Sequence, residues 1–127
     1  MAQSLRRCLL IDGDAGERAK VQNLMSNLGF DCAETKGADE GLRYCHEHQP
    51  DVVVMDAAQL PAARELLRLT RYQGKQSGRP VVILYSDRPD LESLGEFILD
   101  GAADFLVKPF NQDLLSFKLK QAGLLGL

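Results

Sequence analysis

Five short apolar runs recur along this chain of 127 residues, and the stretches between them carry helical spacing. The runs are Cys8 to Ile11, the alternating stretch Phe30 to Glu34, Val52 to Met55, Val81 to Tyr85 and Phe105 to Val107. Each is shorter than a typical helix. Val52 to Met55 and Val81 to Tyr85 are apolar on both faces, which suits central strands of a parallel sheet. Between the first two runs, Val21, Leu24, Met25 and Leu28 fall at i, i+3, i+4 and i+7, closed by Gly29 at a C′ position. Ala38, Leu42 and Cys45 mark a second helix, weakened by Gly41 and stopped by Pro50. Pro61 opens a third, carrying Leu66, Leu67 and Leu69 and followed by a polar loop over 73–78. Leu91, Leu94 and Ile98 share a face of a fourth helix that Gly101 ends, and Asn111 caps a fifth with Leu115, Leu119 and Ala122 on one face. Strands alternating with helices predict an α/β fold in which one parallel sheet is covered on both sides.

Length allows one domain and one core. Apolar residues make up 45% and charged residues 26%, ordinary for a soluble globular domain, and the net charge of -3 argues against a surface built to coat nucleic acid or anionic membrane. The three cysteines, Cys8, Cys32 and Cys45, are odd in number, widely spaced and set in apolar patterns, so they read as core residues in a reducing compartment. Arg6 and Arg7 precede an apolar run that ends at Asp12, too short for a signal peptide, and no stretch is long enough to span a bilayer. The expectation is a cytoplasmic protein.

In an open parallel sheet, ligands gather beyond the carboxyl ends of the strands. The residues just past the apolar runs are polar here: Asp12-Gly13-Asp14, Asp56, Ser86-Asp87 and Lys108-Pro109-Phe110. Carboxylates crowded at one rim repel each other unless a lysine or a cation joins them, and Lys108 and a hard divalent ion such as Mg²⁺ would both serve. Asp12 and Asp14 could instead simply cap the next helix. Asp56 differs, because small Ala57 and Ala58 follow it and leave its carboxylate facing an open rim. His46 and His48, two residues apart, cannot share a helix face and read as solvated surface.

Four segments together resemble the receiver domain of bacterial two-component response regulators: Leu9 to Asp14, Pro50 to Asp56, Pro80 to Ser86, and Gly101 to Phe110. The last carries the specific pattern Gly-Ala-x-Asp-aromatic-x-x-Lys-Pro-Phe, and the separations of 30 residues from Asp56 to Ser86 and 22 from Ser86 to Lys108 also fit. The resemblance implies a flavodoxin-like (βα)5 doubly wound sheet of strand order 2-1-3-4-5. It implies that Asp56 accepts a phosphoryl group from a histidine kinase or histidine phosphotransferase, with Lys108 and Ser86 holding phosphoryl oxygens. Mg²⁺ would be held by Asp12, Asp14, Asp56 and the backbone carbonyl of Ala58. Phe105 and Ser86 would form the switch, and the bond before Pro109 would be cis. The family's output face, formed by the fourth helix, the fifth strand and the fifth helix, would meet a downstream protein target and would allow a homodimer, with no direct contact to nucleic acid or membrane.

Three departures accompany the resemblance. Gly13 stands where receivers usually carry a second adjacent acid, Pro61 lies five residues past Asp56 without the usual glycines beyond it, and either Tyr85 or Ser86 takes the hydroxyl position. The whole chain, 1–127, reads as one receiver domain with no output domain. It would be a phosphoacceptor rather than a turnover enzyme, catalysing only its own phosphorylation and dephosphorylation. The rival reading is a pseudo-receiver, a protein-binding module with impaired or absent phosphorylation.

Overall fold

The computed structural model describes residues 6–58, 80–88 and 104–126, with isolated positions 64, 65, 68, 92, 95, 96, 99 and 102. The five strands are β1 (Arg6–Ile11), β2 (Phe30–Thr35), β3 (Val52–Asp56), β4 (Val81–Ser86) and β5 (Asp104–Val107). All neighbouring pairs are parallel, in the order β2-β1-β3-β4-β5. The doubly wound order expected from the resemblance is therefore the observed one. Helix α1 (Ala15–Asn27) joins β1 to β2, α2 (Ala38–His48) joins β2 to β3, and the C-terminal helix spans Gln112–Gln121. Positions 64, 65 and 68, and 92, 95, 96 and 99, are also helical. The expectations placed on Pro61, Leu66, Leu67, Leu69, the 73–78 loop, Leu91, Leu94, Ile98 and Gly101 lie outside the described residues.

Side chains alternate across the sheet with the strand period of two, and this parity divides the core. Leu9, Ile11, Val53, Met55 and Leu84 pack on the α2 side. Leu10, Val54, Ile83, Tyr85 and Leu106 pack on the other, against Val21 and Met25 of α1 and Leu115 and Leu119 of the C-terminal helix. The apolar stripe of α1 is thus the one its spacing indicates, with Val21 and Met25 buried and Gly29 taking φ +91° past its end.

Gly41 is more than a weak point in α2. A Cβ built there would stand 2.3 Å from Ile11 Cδ1, so the missing side chain lets α2 lie close against β1. Asn111 accepts from the Leu114 amide at 2.8 Å and caps the C-terminal helix, while Lys118 in its last turn reaches Asp104 at 3.0 Å.

Candidate functional site

Main-chain bonds at the carboxyl end of the sheet carry the ladder beyond the strands and fix where the polar residues begin. The Asp12 amide donates to the Thr35 carbonyl at 3.2 Å, Ala57 to Tyr85 at 2.9 Å, and Lys108 to Ser86 at 2.9 Å. Strand parity, continued one step past β1 and β5, puts Asp12, Asp56, Tyr85 and Lys108 on the α1 side of the rim. Asp56 and Tyr85 are direct partners in the β3–β4 register. An open cleft of about 800 Å³ results, with Asp12, Asp14, Asp56, Ser86, Phe105 and Lys108 among its lining residues. The Lys108–Pro109 peptide bond is cis.

Asp56 is half-buried, and its Oδ1 accepts from the Ala58 amide at 3.2 Å. Burial raises its carboxyl above the usual carboxylate range, the nearby charge of Asp12 pushes the same way, and Lys108 partly offsets both. Lys108 Nζ stands 4.7 Å over the ring of Tyr85 and 3.7 Å from Glu17.

The first rim segment is arranged differently from its neighbours. Asp12 is only 1% exposed. Its Oδ1 accepts from the Asp14 amide at 2.8 Å and its Oδ2 from the Tyr85 hydroxyl at 2.5 Å. Arg18 donates to the Asp12 carbonyl at 2.7 Å and to Glu34 at 2.9 Å, tying α1 to the rim. Asp14 is exposed and serves as the N-cap of α1, accepting from the Gly16 and Glu17 amides at 2.9 and 3.1 Å. Those bonds, the one from Glu17 foremost, hold its carboxyl below the usual range. Asp12 and Asp14 are therefore held differently: one is buried under the rim, and the other caps a helix through its Oδ1.

Ser86 and Tyr85 both bring hydroxyls to this end of the sheet, from opposite faces. Ser86 lines the cleft and its Oγ accepts from the Arg88 amide at 3.1 Å. Tyr85 is fully buried on the α1 side and reaches Asp12 from beneath, its ring edge-on to Phe110 at 5.9 Å. Burial, helped by the bond to Asp12, raises its phenol pKa. Phe105 lines the cleft partly buried against the α2-side core, the same face as Ser86 by parity.

The model of the response regulator receiver domain matches residues 8–120. The chain belongs to the receiver domain family. Among curated proteins, this receiver domain is 30% identical over 104 residues to the transcriptional regulatory protein PrrA of Mycobacterium tuberculosis, covering 82% of this chain and 44% of that protein. It is 27% identical over 107 residues to the virulence regulator PhoP of Salmonella choleraesuis, covering 84% and 47%. The receiver domain thus spans less than half the length of these relatives. Among solved structures, a response regulator receiver domain protein from Clostridium thermocellum superposes with TM-score 0.80 at 24% identity, covering 93% of this chain and 94% of that one. The receiver domain of the sensor histidine kinase PA1611 from Pseudomonas aeruginosa superposes with TM-score 0.73 at 17% identity, covering 94% and 99%, and is described with magnesium coordinated in its active site cleft.

The donor set of this receiver domain fits Mg²⁺ in a minimal form. Asp12, Asp14 and Asp56 all line the cleft, and among the described residues no three acidic, histidine or cysteine side chains form a ready-made metal cluster. Asp12 and Asp56 are close enough for the charge of one to raise the carboxyl of the other, a repulsion that a cation would relieve. Mg²⁺ is commonly held by one or two carboxylates with water completing its octahedron. Sequence reasoning weighed Tyr85 only as a rival for the position of Ser86 and gave Arg18 no role. The parity of β4 marks Tyr85 as the residue beside Asp56, but only the packing of α1 shows how far its phenol reaches.

Proposed function

We propose that this receiver domain accepts a phosphoryl group on Asp56 from the phosphohistidine of a kinase or phosphotransferase in the cytoplasm, and passes the change to a protein partner. The observation that carries this reading is Asp56 itself. It ends the central strand as a half-buried carboxylate in an open cleft that also holds Lys108.

An oxygen of Asp56 would attack phosphorus in line, forming the acyl phosphate as the bond from phosphorus to histidine nitrogen breaks. Lys108 would hold one phosphoryl oxygen by charge, and Ser86, on the far edge of the cleft, would donate its hydroxyl to another. Asp12, Asp56 and the Ala58 carbonyl would hold Mg²⁺, which when bound neutralises charge on the phosphoryl oxygens. Drawing Ser86 toward the new charge would open space beside Phe105, which shares its face of the sheet. Turning inward would cost Phe105 little, because it has no polar tip to desolvate. Val107, Leu114 and Phe117 are exposed apolar residues on β5 and the C-terminal helix, consistent with an output face there for a target or a second copy.

Incubation with Mg²⁺ and acetyl phosphate, followed by intact mass measurement, tests the reading. Gain of a single phosphoryl group is expected, and none in Asp56→Asn. No gain at tens of millimolar donor would instead support the pseudo-receiver reading, which is favoured by Gly13, the capping role of Asp14 and the burial of Asp12.

A further inference from the structure

Asp12 is the one buried charged side chain among the described residues, and protein donors occupy both of its carboxylate oxygens. The amide of Asp14 is fixed by the start of α1, but the other donor is a side chain. Tyr85 reaches Asp12 from a fully buried position, with its ring edge against Phe110 and its face beneath Lys108. One residue therefore satisfies both signs of charge in the cleft. Its hydroxyl hydrogen faces the carboxylate while its π-face holds the ammonium, and donation to Asp12 leaves the ring richer in electrons for that contact.

A hydroxyl hydrogen and a metal cation compete for the same negative oxygen, because each carries positive charge toward it. The competition matters more here than in a site with spare carboxylates. Gly13 offers none, and one oxygen of Asp14, Oδ1, already accepts from both the Gly16 and Glu17 amides.

We propose that Tyr85 sets how tightly this cleft takes a divalent cation, its hydroxyl standing in for the cation on Asp12 until a cation displaces it. The inference rests on the reading of the cleft as a cation and phosphoryl site, but concerns the cation alone. Removing the hydroxyl leaves Asp12 buried with one donor lost, which raises the energy of the cation-free state. The cation-bound state, from which the hydroxyl is already displaced, is little changed. Tyr85→Phe should therefore bind the cation more tightly. The opposite expectation comes from metal sites whose ligands are oriented by an outer hydrogen bond, where deleting that bond weakens binding.

The test is calorimetric titration of the whole 127-residue chain with Mg²⁺ and with Mn²⁺, in the absence of any phosphodonor. Wild type, Tyr85→Phe and Tyr85→Phe combined with Asp12→Asn would be compared, with thermal melts confirming that each is folded. The expected result is about tenfold tighter binding in Tyr85→Phe, with the gain abolished by Asp12→Asn. Binding that is unchanged within about twofold, weaker, or undetectable in both wild type and Tyr85→Phe at tens of millimolar cation overturns the proposal, as does a gain that survives Asp12→Asn. Should Tyr85→Phe fail to fold, the ¹³Cζ resonance of Tyr85 in the wild type decides: it should move as Mg²⁺ saturates the cleft, and a resonance that stays fixed overturns the proposal. Phosphoryl uptake by Asp56, measured by mass, is a separate readout, so failure of that reading and failure of this one are told apart.

Discussion

The two walls of the cleft are built from the same material, a few residues at the end of a parallel strand, yet they have diverged in chemistry. The β5 wall keeps Lys108 beside a cis Pro109, with its ammonium over the Tyr85 ring. The β1 wall has Gly13 between its acids, a buried Asp12 bound to Tyr85, and an exposed Asp14 that caps α1. β1 runs inside the sheet with its last four residues buried, whereas β5 is an edge strand in which only Leu106 is buried, yet both keep the same parallel frame. Strand runs secure the frame, and side chains at its edge can be exchanged without disturbing it.

The sharpest way to break the comparison is Lys108→Ala. Loss of a preorganised cation at a developing phosphoryl charge should slow phosphorylation from acetyl phosphate at least about a hundredfold, with the melting temperature changed little. If the rate, followed by intact mass over time, stayed within about threefold of wild type, the β5 wall would have no chemical role.

Asp14→Ala probes the other wall. Loss of an N-cap should lower the melting temperature by about 4 °C at neutral pH while phosphoryl uptake stays within about twofold. Because the Asp14 carboxyl is held below its ordinary value, its contribution is present above the unfolded-state pKa and fades as pH falls through the folded one. The gap between the two melting curves should therefore narrow in acid. A large fall in uptake with no thermal effect would return Asp14 to the metal ligands.

The smallest effect is the thermal response of Asp56→Asn, and it runs the other way. Its carboxyl is raised by burial, so the fold is favoured with Asp56 protonated, and that advantage is lost as pH rises through the folded pKa. Removing the charge should raise the melting temperature by about 2 °C at pH 7, an effect reduced by the solvent that reaches its open side. The gain should vanish in acid. Two carboxylates of one cleft would thus carry opposite pH signatures, and calorimetric melts of both variants from pH 3 to pH 7 would show whether they do.

Much of this was legible in the residues. The runs at Cys8 to Ile11, Val52 to Met55 and Val81 to Tyr85 mark strands because β-branched and apolar residues too few for a helix must be covered on both faces. Val21 and Met25 mark the inner stripe of α1 because the helical period leaves them no other side. The polar residues that follow the runs had to share a rim, since parallel strands all end at the same edge.

Three-dimensional packing decided the rest. Gly41 looked like a helix defect until Ile11 was found where its Cβ would be. Asp12 and Asp14, two residues apart, could have projected together, but the start of α1 took Asp14 for its amides while β1 carried Asp12 under the rim. Tyr85 and Ser86 competed for one position on paper and occupy two in space. A strand's parity, legible in sequence, sends them to opposite faces, whereas the reach of a phenol to a carboxylate 73 residues away in the chain depends on how the sheet and α1 close around it.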